Sequence, residues 1–394
     1  MKPIRNPDIS YFAKTNFRSD GKLFGILQRD RLMHSYMVGK TGTGKTNLLA
    51  TFILQDINEH RGCCIFDVHG DLLQNIRANI PQERRMDVVD LDIASIEIPF
   101  RYNPLRRVSV EKRSLVTAGL LDTFHKLWRS AWGAKLEHIL RYIILTLLSV
   151  PKADLSDIPR IIHDTGFRDS CLNYIKSKEL RTFWVQEFPK YTKNDLVPIL
   201  NKVGAFLAHP AIKRFLVTNP NDISLRRCMD TGKIVLVDIS KGKLGSDAAN
   251  LVGSLLITAF AHAAFSRIDT LEDDRKPFHI FLDEFQNYTT PSITGMLSEL
   301  RKFGVSLTLA NQYLHQLDVD IRNAVLGNVG TLITFRLGQQ DARYFAQEFQ
   351  DSFEASDFTH LPNYSIYLKL MIQGKSSIPF SADTIPFGEI LKPP

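Results

Sequence analysis

Gly39-Lys40-Thr41-Gly42-Thr43-Gly44-Lys45-Thr46 follows the apolar run Tyr36-Met37-Val38 and precedes the helix-forming run Asn47-Leu48-Leu49-Ala50. The octapeptide fits the phosphate-binding pattern G-x-x-x-x-G-K-[ST] at every fixed position. In such a loop the glycines let backbone N–H groups turn toward a β-phosphate, Lys45 reaches the β- and γ-oxygens, and Thr46 offers a hydroxyl to Mg²⁺. The stretch therefore predicts a nucleoside-triphosphate site between a strand and a helix.

The composition is that of an ordinary globular protein with a basic surface. Of the 394 residues, 44% are hydrophobic and 23% are charged, which allows a sizeable core. Lysines and arginines number 49 against 42 acids, and the net charge of +7 suits a polyanionic partner. Four scattered cysteines exclude a disulfide scaffold, and no apolar run follows Met1–Asn6. We therefore expect a cytoplasmic protein without a signal peptide.

Short apolar runs alternate with longer helical patterns, which predicts an α/β fold with a mostly parallel sheet covered by helices. The predicted strands are Ser35–Val38, Gly62–Val68, Asp87–Leu91, Lys233–Asp238, His279–Leu282, Val305–Leu309 and Thr331–Phe335. The apolar stretch Ala248–Ser266 approaches the length of a membrane span, but polar residues interrupt it. We interpret it as a buried core helix and expect no transmembrane segment in the chain.

Helical periodicity replaces this alternation between about Val108 and Asp222, which predicts an all-α insertion. The chain is accordingly divided into an N-terminal part of the α/β domain (1–107), the insertion (108–222) and a C-terminal part of the α/β domain (223–394). The last segment, from Ser376 onward, contains four prolines and is predicted to be an extended tail.

His279-Ile280-Phe281-Leu282-Asp283-Glu284 is an apolar strand that ends in two acids. Beside a phosphate-binding loop, this pattern predicts that Asp283 holds Mg²⁺ through water and that Glu284 polarises an attacking water. Gln312 follows a later predicted strand and is a candidate sensor of the γ-phosphate. Asp67, His69 and Asp71 end another strand, so we expect them near the same site, in coupling roles rather than as metal ligands.

These elements together resemble the HerA/FtsK superfamily of ring-forming ATPases and, within it, the soluble ATPase domains of type IV secretion coupling proteins, the conjugative DNA-transfer motors. The resemblance covers most of the chain. It is carried by Phe24-Gly25-Ile26, Asp30-Arg31, the phosphate-binding loop, Asp67-Val68-His69-Gly70-Asp71-Leu72, Asn103-Pro104-Leu105, Trp132-Gly133, Leu282-Asp283-Glu284-Phe285, Leu300-Arg301-Lys302-Phe303-Gly304 and Ala310-Asn311-Gln312-Tyr313.

The resemblance implies a RecA-like P-loop NTPase core interrupted by the all-α domain, and a hexameric ring that hydrolyses ATP with Mg²⁺ to move DNA through a central channel. By the same match, Arg301 is the arginine finger that reaches the γ-phosphate of a neighbouring subunit, and Arg336 is a second candidate for contact with ATP. Gln312 matches the glutamine motif that couples hydrolysis to movement. DNA recognition in such a motor is independent of base sequence.

Two assignments stay open at this point. Lys241 and Lys243 lie among glycines in Ser240–Gly245, where they either follow DNA phosphates or form a solvated surface loop. The function is either a hexameric DNA translocase, a nucleotide-gated scaffold that activates a partner effector or nuclease, or a protein-secretion ATPase. In each case the ring could be peripheral to a membrane complex through a secretion-channel protein or another partner.

Overall fold

A computed structural model describes residues 6–17, 21–106, 108–216 and 222–390, with only the backbone described at 130, 387 and 390. Three of the expectations touch residues outside these ranges. They are the N-terminal sequence used to exclude a signal peptide (1–5), the domain boundary at 107, and the last two prolines of the predicted tail (Pro393 and Pro394).

The core of the fold is an eleven-stranded sheet. The strands of the described residues are β1 (Ile9–Thr15), β2 (Leu23–Leu27), β3 (Ser35–Val38), β4 (Gly62–Asp67), β5 (Val88–Asp92), β6 (Ile234–Asp238), β7 (Phe278–Leu282), β8 (Val305–Asn311), β9 (Thr331–Thr334), β10 (Ser365–Lys369), β11 (Met371–Ile372), β12 (Lys375–Ser376) and β13 (Phe380–Thr384). The order across the sheet is β2-β1-β13-β10-β9-β3-β8-β7-β4-β6-β5, and β11 and β12 form a separate hairpin.

The central strands of the sheet are parallel and almost completely buried. β9, β3, β8, β7, β4 and β6 pair in parallel, each with its neighbour in the sheet order. Their sequences are near-continuous apolar runs because helices cover both faces of a parallel sheet. Together with β5 at the edge, these are the seven strands predicted from the sequence, with ends shifted by at most two residues. The predicted α/β fold with a mostly parallel sheet is therefore confirmed.

The other side of the sheet is antiparallel and was not predicted. β10 pairs with β9, β13 pairs with both β10 and β1, and β1 pairs with β2. The expectation of an extended tail after Ser376 is wrong for part of that segment, because Phe380–Thr384 is an inner strand of the sheet. Pro379 and Pro386 flank this strand rather than interrupt it, so neither removes a hydrogen-bond donor from it.

Helices and turns connect the strands. The α-helices of the described residues are α1 (Gln28–Arg31), α2 (Lys45–Asn58), α3 (Asp71–Asn79), α4 (Arg113–Leu127), α5 (Ala134–Leu147), α6 (Asp157–His163), α7 (Thr165–Leu172), α8 (Lys178–Thr182), α9 (Lys193–Leu207), α10 (Pro210–Leu216), α11 (Leu225–Asp230), α12 (Lys241–Leu244), α13 (Ser246–Phe265), α14 (Ser292–Glu299), α15 (Val319–Asn328), α16 (Gln339–Glu348), α17 (Ala355–His360) and α18 (Phe387–Ile390).

The described residues form two compact units. The first comprises residues within 1–90, 225–238 and 263–394, and it contains all strands except the last two residues of β5. The second comprises residues within 91–224 and 239–262 and contains α4–α10, α12 and most of α13. It is helical, and it includes residues on both sides of the predicted insertion 108–222.

One helical segment of the described residues, Ser246–Asp269, is long and apolar enough to cross a membrane. However, 78% of its most apolar window is buried inside the protein. Such burial is typical of a core helix in a globular protein, so this segment is only weak evidence for a membrane span.

His34 occupies a buried position just before β3. Its Nδ1 accepts a hydrogen bond from the backbone amide of Leu307, at 3.0 Å. Burial lowers the pKa of His34 to about 4; a hydrogen bond with the backbone of Leu297 opposes this shift, and the charge of Arg301 adds to it. A protonated ring would also place an N–H against the Leu307 N–H, so the fold requires the neutral imidazole.

We expect the protein to lose stability in mild acid because of this histidine. The unfolded chain binds the proton near pH 6.5 and the folded chain only near pH 4, so the unfolding free energy falls as the pH drops between these values. The loss from His34 is about 2 kcal/mol at pH 5. Urea denaturation at pH 7 and pH 5 measures it. His34→Asn, which tolerates the positive φ of 63°, should flatten the dependence, whereas His163→Asn at an exposed position should not. Equal pH dependence in the two variants would contradict this account.

Candidate nucleotide site

The carboxyl ends of the central strands bring the predicted site residues to one edge of the sheet. The register places Val38 of β3 beside Asn311 of β8, and Leu282 of β7 beside Leu309 of β8. The phosphate-binding loop (Gly39–Thr46), Gln312 and the acidic pair (Asp283 and Glu284) come directly after these three strands. This edge is where parallel α/β sheets bind ligands.

The phosphate-binding loop has the backbone conformation that its glycines allow. Gly42 and Gly44 have φ values of 76° and 123°, which residues with a side chain rarely adopt. The ammonium group of Lys45 donates to the carbonyls of Gly39 (2.5 Å) and Lys40 (3.1 Å), so it lies across the loop. Burial lowers the pKa of Lys45, while the charges of the acidic pair oppose this shift.

The loop is fixed to its surroundings by backbone contacts. The Thr43 hydroxyl donates to the Lys40 carbonyl (2.7 Å), and the Lys40 amide donates to the Arg336 carbonyl (2.9 Å). A side chain at Gly39 would lie 2.5 Å from Cβ of Phe335, so only glycine fits there. Thr41, at the tip of the loop, and Thr46, in the first turn of α2, are exposed.

The acidic pair and Lys45 form a buried charged cluster. Burial raises the pKa of Asp283 to about 6; the neighbouring carboxylates of Glu284 and Asp67 reinforce this rise, and Lys45 opposes it. Three carboxylates facing one ammonium group leave an excess of negative charge, which a divalent cation can balance. The exposed Thr46 hydroxyl and Asp283 are therefore suited to hold Mg²⁺, which favours one or two protein oxygens together with phosphates and water.

Glu284 has an unusual backbone that points its carboxylate into a clamp of two amides. Its φ and ψ are 50° and 49°, in the left-handed region, which costs a residue with a side chain roughly 1–2 kcal/mol. Gln312 donates its side-chain amide to one carboxylate oxygen (3.0 Å), and Gln286 donates to the other (2.6 Å). Strain of this kind is often found at functional sites.

The loop that carries Gln312 is itself held in place. The Asn311 side chain accepts from the Tyr36 hydroxyl (2.6 Å) and donates to the Tyr313 carbonyl (2.9 Å). The side-chain oxygen of Gln316 accepts from the amides of Gln312 (3.2 Å) and Tyr313 (3.1 Å). A cleft of about 540 Å³ opens between this loop and the tip of the phosphate-binding loop. Gln312 therefore lies where a terminal phosphate could reach it.

Gln286 was not among the residues predicted from the sequence. Gln286 lies two residues after Glu284, and side chains at this spacing do not face each other in a regular helix, so the sequence does not predict a contact between them. The left-handed backbone of Glu284 turns the chain back, so that the amide reaches the carboxylate. A glutamine close to a catalytic acid is thus the only sequence signal for this contact.

Asp67 lies at the same edge, but backbone groups occupy its carboxylate. It accepts hydrogen bonds from the amides of His69 (2.8 Å) and Leu73 (3.0 Å). In the described part of the chain, no group of three or more His, Cys, Asp or Glu residues is arranged to hold a metal ion by itself. Cys63 and Cys64 are buried, and burial raises the pKa of both thiols.

Arg301 lies at the other end of β3 from the phosphate-binding loop. Its guanidinium donates to the sulfur of Met33 at 3.1 Å, just before β3 begins, and its side chain is exposed. The four residues of β3 alone separate the two ends by about 13 Å, at roughly 3.3 Å per residue. Arg301 is therefore not brought together with the phosphate-binding loop of its own subunit.

Arg336, in contrast, lies at the edge that carries the phosphate-binding loop. It follows β9, and its guanidinium donates to Asn363 Oδ1 (2.9 Å) and to the Leu361 carbonyl (3.5 Å). The hydrogen bond from the Lys40 amide to its carbonyl attaches it to the loop. Arg336 is thus a neighbour of the phosphate-binding loop within the same chain.

Lys241 and Lys243 belong to the second compact unit. Ser240–Gly245 was predicted as a loop, but residues 241–244 form the short helix α12. Lys243 is exposed and makes an ion pair with Asp92 (3.4 Å), and Lys241 is half-buried. The structure therefore places both lysines on a short helix of the second unit, α12, which begins three residues after the last residue of β6.

Comparison with known proteins agrees with the class that the fold defines, a RecA-like P-loop NTPase with a helical region. Residues 277–352 match the family described as the TraM recognition site of TraD and TraG. No curated protein matches the chain. The match with TraD and TraG includes the acidic pair, Arg301 and Gln312.

Solved structures with similar folds include two type IV secretion proteins. The bacterial conjugative coupling protein TrwBdeltaN70 has a TM-score of 0.68 and 13% identity, over 97% of this chain and 94% of that chain. VirB4 of Thermoanaerobacter pseudethanolicus has a TM-score of 0.66 and 13% identity, over 98% of this chain and 100% of that chain. The plasmid coupling protein TrwB in complex with ADP and Mg²⁺ gives a TM-score of 0.66 at 14% identity, over 96% and 95%. These structures confirm the fold that the resemblance to coupling-protein ATPases implies.

Proposed function

We propose that the protein is an ATP-hydrolysing, ring-forming DNA translocase, most simply a hexamer. The observation that carries the enzymatic part is the convergence of the phosphate-binding loop, Asp283, Glu284 and Gln312 at one edge of the sheet. In this arrangement Lys45 and the loop amides hold the phosphates, and Glu284 orients the attacking water. Gln312 reports the state of the γ-phosphate to Glu284 through their shared hydrogen bond.

ATP and Mg²⁺ are the proposed ligands. The solved structures of TrwB include complexes with ADP and Mg²⁺ and with a non-hydrolysable ATP analogue, which supports this choice. Thr46 and Asp283 would hold the metal together with the β- and γ-phosphates. When bound, Mg²⁺ would neutralise the charge that develops on the transferred phosphoryl group.

The position of Arg301 supports the proposed assembly into a ring. Because it lies at the amino end of β3, it can reach a γ-phosphate only in another subunit. A surface bearing Arg301 that packs on a different surface bearing the phosphate-binding loop is a head-to-tail contact, and such contacts form a ring when the rotation between subunits closes. We propose the all-α segment 108–222 as an insertion between the two parts of the ATPase domain, 1–107 and 223–394.

DNA is the proposed substrate, bound without regard to base sequence by Lys241 and Lys243. The net charge of +7 supports a polyanionic partner, and the likeness in fold to a bacterial conjugative coupling protein supports the choice of DNA. A partner protein of the TraM type is a further proposal, because the family that matches residues 277–352 is described by recognition of TraM. We propose that the ring works in the cytoplasm.

Steady-state ATP hydrolysis with and without double-stranded DNA tests this function. We expect DNA to stimulate hydrolysis at low salt and the stimulation to fade at moderate salt, because phosphate contacts release counterions. Lys45→Ala, which lacks the lysine of the phosphate-binding loop, is the negative control for hydrolysis. Clear basal activity that DNA does not change would contradict the translocase and favour a partner-gated scaffold. Stimulation by polypeptide instead would favour a secretion ATPase.

A double lysine variant tests the proposed DNA contact through the salt dependence of DNA binding. In Lys241→Ala/Lys243→Ala we expect the salt dependence of DNA binding to weaken by a slope of about 2, close to one for each phosphate that is no longer neutralised. Lys176→Ala/Lys178→Ala removes the same charge at the same spacing from an exposed site in the same compact unit and is the matched control. Equal slopes in both double variants would exclude α12 as the DNA contact.

A further inference from the structure

The sheet order fixes the direction in which a nucleotide must lie. The acidic pair and Gln312 follow β7 and β8, on one side of β3, so a terminal phosphate points to that side. The nucleoside must then leave the phosphate-binding loop on the other side of β3, where β9, β10 and β13 lie. The residues at the ends of these three strands are therefore the candidates for contact with the base.

Tyr364, just before β10, lies at that position against the phosphate-binding loop. Its amide donates to the Thr43 carbonyl at 2.8 Å, and its ring carbon Cδ1 lies 2.9 Å from where a Cβ on Gly44 would be. The adjoining end of β13 contacts α2, since Ile385 accepts through its carbonyl from the side chains of Asn47 and Thr51 (both 3.3 Å). The aromatic ring of Tyr364 thus lies beside Gly44, the residue that precedes α2, next to the phosphate-binding loop.

The backbone of Tyr364 is strained and held from both sides. Its φ of 69° lies in the left-handed region, where a bulky residue is unusual. Thr384 donates to the Tyr364 carbonyl through its amide (2.8 Å) and its hydroxyl (2.9 Å), while the Thr43 carbonyl holds the amide. Glycine or asparagine would occupy this position at lower cost. A tyrosine here suggests a use for the ring.

The ring itself is available to a ligand. Tyr364 is 52% exposed although its backbone is firmly hydrogen-bonded. In the described part of the chain no aromatic ring or guanidinium stacks on it; the nearby Arg336 instead binds Asn363. An aromatic face that is fixed in place, half-exposed and next to a phosphate site is suited to stack on a planar base.

We propose that Tyr364 is the platform on which the purine base of the nucleoside triphosphate stacks. The inference rests on the proposed nucleotide binding and adds the position of the base to it. Stacking depends on the face of the base rather than on its edge, so the larger purine ring should be preferred to a pyrimidine. The loop before β10 is then part of the nucleotide site, far in sequence from the phosphate-binding loop.

Calorimetric titration of the full chain with Mg-ATP and with Mg-tripolyphosphate tests the proposal, because the second ligand has phosphates but no base. We expect Tyr364→Ala to weaken ATP binding roughly 10-fold and to leave tripolyphosphate binding unchanged. Tyr364→Phe should retain ATP affinity, and the preference for ATP over CTP should shrink in Tyr364→Ala. Equal losses for ATP and tripolyphosphate, or no loss for ATP, would overturn the assignment.

Two further variants separate the ring from the backbone. Tyr364→Gly relieves the left-handed strain, so it should fold at least as stably as Tyr364→Ala while losing the same ATP affinity. Tyr174→Ala removes a tyrosine of similar exposure (51%) from the other compact unit and should bind ATP normally. If the wild-type chain binds neither ligand, or Lys45→Ala binds both as well as wild type, the proposed function fails and the base platform fails with it. If tripolyphosphate binds as expected and only the predicted effect of Tyr364 on the choice of base is missing, the assignment of Tyr364 fails and the proposed function stands.

Discussion

Glu284→Gln should retain ATP binding and lose hydrolysis by a factor of about 10²–10⁴, the usual contribution of a general base. The glutamine has the same shape; its oxygen accepts from one of the two amides, and its NH₂ can donate to the other once that side-chain amide turns its own oxygen inward, so the buried clamp should survive in this rearranged form. What it lacks is the charge that draws a proton from the attacking water. Equilibrium binding of Mg-ATP together with single-turnover hydrolysis measures the two effects separately.

The control for this variant is a second Glu→Gln change in the same compact unit. Glu299, at the end of α14, is exposed, and Glu299→Gln should hydrolyse ATP like the wild type. Wild-type turnover in Glu284→Gln would remove Glu284 from its catalytic role. A simultaneous loss of ATP binding would instead indicate that the clamp shapes the site as a whole.

Arg301→Ala should leave the ring assembled and reduce hydrolysis by a factor of about 10³ or more, the range found for arginine fingers. The physical reason is the position of Arg301 at the opposite end of β3 from the phosphate-binding loop, so that in the proposed ring its charge would act on a neighbour's γ-phosphate. Size-exclusion chromatography establishes the assembly, and steady-state turnover establishes the loss.

Mixing distinguishes a contribution in trans from simple misfolding. Lys45→Ala subunits have an intact Arg301, so adding them to Arg301→Ala subunits should restore part of the activity at the mixed interfaces. Lys302→Ala removes the adjacent exposed charge from the same turn and should behave like the wild type. Normal hydrolysis in unmixed Arg301→Ala rings would show that this arginine is not the finger.

The parallel half of the sheet could be predicted because its strands are buried on both faces. Runs such as Gly62–Asp67 and Phe278–Leu282 are apolar at nearly every position, which is a strong signal even in a short segment. β1, β10 and β13 alternate buried and more exposed residues, so their signal is weaker. Around β13 the prolines favoured the prediction of an extended tail over that of a strand, although a proline next to a strand only limits the strand's length.

The site divides in a similar way. Lys45, Asp283 and Gln312 could be placed together from the sequence, because each follows a predicted parallel strand and such strands end at one edge. The side chains that reach across loops could not be placed. The contact of Gln286 with Glu284 depends on a left-handed residue, and Tyr364 lies more than 300 residues from the phosphate-binding loop. No local sequence pattern therefore predicts the contact of Gln286 with Glu284 or the position of Tyr364 beside the loop.

The inner position of β13 has a consequence for the order in which this protein is made. β1 and β2 are close in sequence and can pair once both are synthesised, but the other edge of β1 is completed only by a strand that ends at residue 384. The same strand completes β10. Until β13 has been synthesised, the nascent chain carries two open edges that could pair with another copy. Completion of the sheet therefore requires a strand that is made more than 350 residues after β1.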